Sequence, residues 1–466
     1  MHGLPLLVAA ASALIASSGA VSSLALNASC HTLVFQGHSG PLLNEFQQAK
    51  YVYQSDGDVC FVEDVNEFRA SKILFYPKHD ASSAKTCLLR GLPSAETFPG
   101  QISLPALVDF INQRTHKLRL PSGRLHPLAD TIHTLENSLF KVKPQATCRS
   151  IPASEISVAV LRDHVLRSEP LVIKQTAQEL VQASSWSTKT LIDRIGSRQV
   201  HVKISPNGDF EGCEPLSWWD GDKEIPDYVA AQLESPDKVL VRPAAANMPF
   251  STFIDKLTST APTATSYYLE YLSMAAYVPE LIDDAPKFDW ASFLKLDVAN
   301  LWFGDGKSVG KLHFDPFENL MTMVAGRKEF ILYDPSDNTR IYEGHIREAQ
   351  YDLEGNQLFR RKLMESTSMV NSPVDIQAPD LEMYPRFAEA NAMRYVVEEG
   401  DTIFVPSFWW HEVVSAPAKD EPRNVAVNYW YKPVYNKDFP CQTCPLRFSM
   451  AYADLLEPAQ SSHEEL

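Results

Sequence analysis

The chain has 466 residues, which is enough for two or three domains. Its 45% apolar and 21% charged residues are typical of an ordinary globular protein and exclude a disordered or fibrous chain. The formal net charge of −16 argues against nucleic-acid binding, because an acidic surface repels phosphate groups and attracts basic protein segments instead.

Both ends of the chain carry patterns typical of targeting segments. An apolar run, Leu4–Ala16, is followed by small residues up to Ala20, and this pattern predicts a secretory signal peptide over 1–22. The last four residues, His463–Leu466, resemble the retrieval signals of the endoplasmic reticulum. Together these segments predict a protein of the endoplasmic reticulum lumen. No later run of about 18 unbroken apolar residues exists, so we predict no membrane span.

Residues 23–145 are predicted to form a separate, smaller α/β domain. Val59–Val62 and Ile73–Tyr76 have the composition of strands, and the apolar spacing in Leu104–Ile111 predicts a helix that begins near Ser103. This order resembles the second half of a thioredoxin domain, but no C-x-x-C lies here, so the resemblance implies a redox-inactive domain. An unrelated α/β domain is the alternative. Proline and glycine residues predict that 118–145 is a linker.

The chain has seven cysteines, so at least one has no partner within it in an oxidising compartment. Cys441 and Cys444 form a C-x-x-C at the start of the predicted C-terminal tail, 441–466. This pair can be a redox centre, a short structural disulfide or half of a zinc site. We favour the structural disulfide, because a second C-x-x-C for zinc is absent and prolines flank the pair.

The segment His313-Phe314-Asp315 is the strongest candidate for chemistry. Residues two apart on a strand point to the same side, so the imidazole and the carboxylate can bind one cation. A second histidine, His411, follows the strand-like run Thr402–Val405 and a proline turn. Two imidazoles and one carboxylate on one face of an ion form the facial triad of non-haem Fe(II) oxygenases.

A lysine follows this motif on a predicted strand. Asn319–Val324 and Lys328–Tyr333 are strand-like, and Gly326 between them is typical of a turn. We predict a hairpin that brings Lys328 back beside His313. An unpaired ammonium inside a barrel is costly, so Lys328 is expected to bind a carboxylate.

From about 146 to 440 the chain resembles the JmjC oxygenases, in particular their small protein-hydroxylase branch. The resemblance rests on the His-x-Asp segment with its following Glu-Asn-Leu, the Pro-Ser-Asp after the second strand, Trp-Trp-His, and Ala-Val-Asn-Tyr-Trp-Tyr. It implies an α+β chain whose main domain, 146–440, is a double-stranded β-helix of the jelly-roll, cupin-like type. It also implies Fe(II) on His313, Asp315 and His411, with 2-oxoglutarate and O2 as co-substrates.

The resemblance implies roles for further residues. Lys328 would bind the distal carboxylate of 2-oxoglutarate. Tyr268 matches the carboxylate-binding tyrosine of the family, with Tyr267 and Tyr271 as rivals. Asn319 and Asn428 match asparagines that line the iron pocket.

One glycine departs from the family pattern, and three tryptophans near the motifs are expected to lie outside the site. Gly310 stands where an asparaginyl hydroxylase of this group has a threonine that contacts 2-oxoglutarate, so one hydroxyl contact is missing. Trp409, Trp410 and Trp430 are predicted to be core residues rather than a substrate platform.

The predicted function is a luminal dioxygenase, dependent on Fe(II) and 2-oxoglutarate, that hydroxylates a side chain of a protein or peptide substrate. The resemblance favours lysine as the target. The alternative is a non-catalytic binding or chaperone-adaptor protein, which Gly310 favours. A thiol–disulfide enzyme built on Cys441 and Cys444 is a third class, and a homodimer stays open.

Overall fold

The computed structural model describes residues 31–37, 40–65, 72–76, 96–99, 101–139, 149–179, 184–219, 224–259, 265–354 and 358–456. The chain divides into two compact units, 1–129 and 130–466. The predicted signal peptide, 1–22, and the segment His463–Leu466 lie outside the described residues. None of the described helices is long and apolar enough to cross a membrane.

The first unit contains a four-stranded mixed sheet and two helices. Its elements are β1 (His31–Gly37), α1 (Pro41–Val52), β2 (Val59–Val65), β3 (Lys72–Tyr76), β4 (Glu96–Thr97) and α2 (Leu104–Thr115). The strand order is β2-β1-β3-β4, with β1 parallel to β2 and antiparallel to β3. Apolar side chains of both helices, among them Phe46 and Ile111, pack with Leu33 and Phe35 of β1 in one core.

The predicted strands and helix of this unit are confirmed, whereas the predicted linker is wrong in part. Ser103 is the N-cap residue before α2, although its side chain makes no capping hydrogen bond. Within 118–145 the chain forms α3 (Ala129–Leu139). Its buried residues Ala129, Ile132, Glu136 and Leu139 recur at intervals of three and four, which is the spacing of one helix face. The thioredoxin-like assignment of the unit stays a prediction.

The second unit is built mainly from strands. Up to the metal motif its elements after α3 are β5 (Ser150–Pro152), α4 (Val158–Arg167), β6 (Leu171–Lys174), α5 (Thr188–Ile195), β7 (Gln199–Ser205), β8 (Asp209–Phe210), β9 (Cys213–Pro215), α6 (Asp227–Ala230), β10 (Lys238–Arg242), β11 (Ala244–Pro249), α7 (Phe250–Thr258), β12 (Ser266–Ser273), α8 (Met274–Tyr277) and β13 (Leu296–Gly304). From the motif onward they are β14 (Val309–Phe314), β15 (Glu318–Ala325), β16 (Arg327–Tyr333), α9 (Asn338–Ile341), β17 (Gly344–Glu354), β18 (Leu358–Asn371), β19 (Met393–Val397), β20 (Thr402–Val405), β21 (Trp410–Ala416), β22 (Asn424–Tyr431), β23 (Tyr435–Asn436) and β24 (Arg447–Phe448).

Two sheets form the barrel of this unit. The larger has the order β11-β7-β12-β13-β22-β15-β20-β6-β5, and the smaller has the order β19-β16-β21-β14-β8. Met321 and Met323 of the larger sheet share a core with Phe330 and Leu332 of the smaller one. Strands β17 and β18 extend a separate sheet in the order β18-β17-β10-β9. Two facing, mostly antiparallel sheets are the double-stranded β-helix that the resemblance implies.

The predicted hairpin of Asn319–Val324 with Lys328–Tyr333 is wrong. β15 pairs with β20 and β22 in the larger sheet, whereas β16 pairs with β19 and β21 in the smaller one. The turn between them has Gly326 at a φ of 75°, and a Cβ there would lie 2.5 Å from the carbonyl oxygen of Ala416. Gly326 therefore lets the chain pass tightly from one sheet to the other.

The cysteines of the second unit are partly paired. Cys441 and Cys444 form a disulfide, as the sequence predicts. Cys213 is free, and its thiol donates a hydrogen bond of 3.3 Å to the carbonyl oxygen of Ser372. Before the disulfide, the buried Lys437 ammonium lies 2.6 Å from a carboxylate oxygen of Glu343. This pair ties the end of the barrel region to the segment before β17.

Candidate active site

The three predicted metal ligands converge at one end of the smaller sheet. β14 and β21 are antiparallel neighbours, and His313 lies directly opposite His411, with 4.3 Å between the ring centroids. Asp315 follows the last residue of β14, and its Oδ2 lies 3.5 Å from Nε2 of His411. One ligand atom from each of the three residues lies within 4.8 Å of the others. This spacing allows all three side chains to hold one ion.

Backbone carbonyl groups orient both imidazoles. Nδ1 of His313 lies 2.6 Å from the carbonyl oxygen of Lys311, and Nδ1 of His411 lies 2.9 Å from that of Trp409. A carbonyl oxygen can only accept, so Nδ1 donates in each ring and Nε2 presents its lone pair to the cavity. Burial and the neighbouring His411 lower the pKa of His313, which keeps this imidazole neutral as a metal ligand must be.

The third ligand stays anionic. Burial alone would raise the pKa of Asp315, but the adjacent imidazoles of His411 and His313 hold it below its ordinary value. Two imidazole nitrogens and one carboxylate oxygen are the donor set that non-haem Fe(II) sites use. The residues present therefore fit an Fe(II) ion.

Lys328 reaches the same cavity from β16. Its ammonium donates to Ser415 Oγ at 2.8 Å and to Tyr268 Oη at 3.2 Å. The side chain is 1% exposed, and among the residues that the structure describes no carboxylate lies within salt-bridge distance of it. Burial lowers the pKa of Lys328 to about 7, although the charge of Glu270 opposes this. A bound carboxylate would supply the missing counter-charge.

The structure separates the three rival tyrosines. Tyr268 lies in the cavity beside Lys328, whereas Tyr267 points into the apolar core on the other side of β12. Tyr271 also lines the cavity and is 37% exposed. The alternation along β12 therefore puts Tyr268, rather than Tyr267, next to the predicted carboxylate site.

The two predicted asparagines have different positions. Asn319 lines the cavity, whereas Asn428 is absent from its lining and completely buried behind it. The Asn428 amide donates to Asn319 Oδ1 at 2.9 Å, and its own oxygen accepts from Asn300 and Trp302. Asn428 is thus placed to orient Asn319.

The ligands lie in a cavity of about 240 Å³ that also contains residues the sequence analysis missed. The additional lining side chains include Glu211, Arg242, Glu270, Trp302, Ser308, Met369, Ser415 and Trp430. Trp409 and Trp410 are buried as predicted, but Trp430 corrects the prediction because it faces the cavity. Period-two alternation from Tyr268 could have indicated Glu270, whereas Arg242 and Ser415 lie on strands that the sequence pattern does not connect with the motif.

Gly310 lines the cavity near His313. A Cβ built there would have no neighbouring atom closer than 4.0 Å. The site thus has space where a relative's threonine would stand.

Comparison with known proteins agrees with this geometry. The family model described as a cupin-like domain matches residues 157–437, more than half of the chain. The human bifunctional peptidase and (3S)-lysyl hydroxylase JMJD7 is 28% identical over 284 residues, which cover 59% of this chain and 81% of that protein.

Two further relatives match a similar part of the chain. JmjC domain-containing protein E of Dictyostelium discoideum is 23% identical over 60% of this chain and 82% of its own length. Lysine-specific demethylase JMJ32 of Arabidopsis thaliana is 27% identical over 59% of this chain and 78% of its own length. The predicted cupin-like fold is confirmed, and the chain belongs to the cupin-like domain family, whose JmjC members are 2-oxoglutarate-dependent oxygenases.

Proposed function

We propose that this protein is an Fe(II)- and 2-oxoglutarate-dependent dioxygenase that hydroxylates a protein side chain, with lysine favoured, in the endoplasmic reticulum lumen. One observation supports the assignment of dioxygenase activity. Two oriented imidazoles, one carboxylate and the buried Lys328, which lacks a salt-bridge partner among the described residues, all face one cavity. A metal site alone would not require a buried cation beside it.

Each of these groups has a defined task. His313, Asp315 and His411 would hold Fe(II) on one face and leave the opposite face for 2-oxoglutarate and O2. When bound, the ion and the co-substrate supply the oxidising chemistry, with succinate and CO2 as products. Lys328, held by Tyr268 and Ser415, would bind the distal carboxylate and thereby set the orientation of 2-oxoglutarate.

The target residue and the compartment rest on other support. The name of the human relative includes (3S)-lysyl hydroxylase, which favours a lysine in a protein. The apolar run Leu4–Ala16 and the final segment His463–Leu466 support the lumen. The net charge of −16 suits a basic protein segment as the substrate.

The proposal is tested with the full-length protein and an extract of luminal proteins. The extract is incubated with Fe(II), 2-oxoglutarate and either wild type or the Asp315→Ala variant, and peptides are searched for +16 mass shifts. We expect succinate release and shifted residues, excluding methionine and cysteine, with wild type only. The exposed Asp297→Ala serves as the matched control and should behave as wild type. Equal shifts with Asp315→Ala, or no 2-oxoglutarate-dependent succinate with wild type, would contradict the proposal and favour a binding protein.

A further inference from the structure

A buried carboxylate in the cavity has no task in the chemistry described so far. Glu270 is 9% exposed and lines the cavity. Its Oε2 is buried without a hydrogen-bond partner. Such an orphaned carboxylate oxygen is costly, because burial removes the water that would otherwise solvate it. A group from outside the chain could satisfy it.

The backbone of β12 is distorted where it carries this residue. The pairing with β13 shifts register between Leu269 and Leu272, and Tyr271 has a φ of 39°. As a result Leu269 and Leu272 both pack in the core, while Glu270 and Tyr271 both line the cavity. A non-glycine residue at positive φ costs about 1–3 kcal/mol, and bulges often re-aim side chains at functional sites.

The cations near Glu270 are paired elsewhere or lie too far away to form a salt bridge. Arg242 pairs with Glu211 and, at 2.8 Å, with Glu348. Lys203, whose ammonium lies 5.6 Å from the centroid of the Tyr271 ring, and Lys328 both attract the Glu270 charge, but neither forms a salt bridge with Glu270 in the described part of the chain. Burial and the neighbouring Glu211 raise the pKa of Glu270 to about 8. No cation of the described residues therefore neutralises Glu270 through a salt bridge.

Aromatic rings surround the same space. The Tyr271 ring centroid lies 6.0 Å from that of Trp302 and 6.4 Å from that of Trp430. All three residues line the cavity. Ring faces attract cations, and the attraction is stronger where water is excluded. A carboxylate among aromatic rings suits a positively charged group better than a neutral one.

We propose that Glu270 determines specificity for a cationic substrate side chain, a lysine ammonium or an arginine guanidinium, which would lie between its carboxylate and the rings of Tyr271 and Trp430. The inference rests on the proposed function and deepens it, because it gives the reason for charge selection. Its evidence is the orphaned oxygen and the bulge of β12, not the likeness to a lysyl hydroxylase.

The test measures binding separately from turnover. Five-residue peptides Gly-Gly-X-Gly-Gly, with X as lysine, arginine, norleucine or citrulline, are titrated into protein loaded with Zn(II) and 2-oxoglutarate, and followed by ligand-observed NMR. We expect the lysine peptide, the arginine peptide or both to bind at least 10-fold more tightly than the matched neutral peptide. Glu270→Gln should abolish that preference, and Glu270→Asp should retain part of it.

Two controls define what would overturn the inference. Glu329→Gln should keep the full preference, because it changes a half-buried carboxylate of β16 that pairs with Arg394 of β19. Lys203→Met should also keep the preference for cationic peptides. If Lys203→Met and Glu270→Gln reduce this preference equally, Glu270 acts only through its interaction with Lys203. Equal binding of charged and neutral peptides to wild type would also overturn the inference. If the protein hydroxylates peptides without preferring a charged side chain, the inference about Glu270 is wrong but the proposed function stands. If cationic peptides bind in a Glu270-dependent way but no succinate is released, the proposed function is wrong but the role of Glu270 in binding stands.

Discussion

His313 and His411 are register partners across β14 and β21, with 4.3 Å between their ring centroids, although four other strands of the barrel sheets, β15, β16, β19 and β20, lie between them in the sequence. Each ring is oriented by the carbonyl oxygen of the residue two positions before it in the chain. One antiparallel pair therefore supplies two oriented nitrogen ligands. Strands inside a sheet move little, so the nitrogen positions are set before a metal binds.

The first prediction concerns metal content. Asp315→Ala removes the only anionic ligand of the predicted triad, so Fe(II) affinity should fall by at least about 10-fold and 2-oxoglutarate-dependent succinate formation should stop. His411→Ala should also stop turnover. Elemental analysis gives the metal content, with Asp297→Ala as the control. Stoichiometric iron together with normal turnover in Asp315→Ala would show that this is not the metal site.

The second prediction concerns the co-substrate. Lys328→Ala should raise the 2-oxoglutarate requirement by about 30-fold or more, because truncating one partner of a buried charge pair costs about 2–5 kcal/mol. Iron content should stay the same, since Lys328 bonds to Tyr268 and Ser415 rather than to a ligand. The exposed Lys307→Ala is the control. An unchanged requirement in Lys328→Ala would assign the distal carboxylate to another cation.

The third prediction concerns stability and pH in the absence of 2-oxoglutarate. Burial lowers the pKa of Lys328 from 10.5 to about 7 in the folded protein. Above pH 7 the folded lysine is neutral while the unfolded one still binds a proton, so the burial penalty shrinks as pH rises. Lys328→Met should therefore stabilise the barrel more at pH 6 than at pH 9, by roughly 3 kcal/mol.

Urea unfolding followed by tryptophan fluorescence measures this difference. All eight tryptophans lie in the second unit, so the signal reports on that unit. The loss of the hydrogen bonds to Tyr268 and Ser415 changes the free energy of unfolding equally at both pH values, so this contribution cancels in the comparison. A gain from Lys328→Met that is the same at pH 6 and pH 9 would mean that Lys328 keeps its ordinary pKa in the folded protein.

The fourth prediction concerns Gly310. A side chain fits there, because a Cβ would have no neighbour closer than 4.0 Å. Gly310→Thr should lower the 2-oxoglutarate requirement, by about 3- to 10-fold for one net hydrogen bond of about 1 kcal/mol. Gly310→Val, which has the same shape but no hydroxyl, is the matched control. Equal effects of threonine and valine would attribute any change to packing rather than to the hydroxyl.

The fifth prediction concerns location. Deleting His463–Leu466 should move the protein into the culture medium, because retrieval signals are read at the extreme C-terminus. Immunoblots of cells and medium compare the deletion with the full-length chain. Adding four residues after Leu466 should have the same effect, since it masks the signal without removing it. Recovery of the full-length chain in the cytosol with residues 1–20 attached would contradict the prediction.

Several features of this protein follow from local sequence alone. The spacing of His313 and Asp315 puts both side chains on one side of a strand, because successive residues of any strand alternate between its faces. The same rule gives the strand-like patterns around Lys328 and His411. The helix after Ser103 follows from its apolar spacing and its first-turn proline.

Only the tertiary structure decides how these strands combine. A local pattern does not say which sheet a strand joins, so Lys328 reaches the cavity by pairing with Ser415 of β21 and not through a hairpin with β15. Register across β13, β22 and β15 puts Asn428 behind Asn319. The bulge in β12 turns Tyr271 toward the space that Glu270 already faces. Strand pairing, register and bulges depend on the free energy of contacts between distant segments, whereas alternation is a property of each strand by itself.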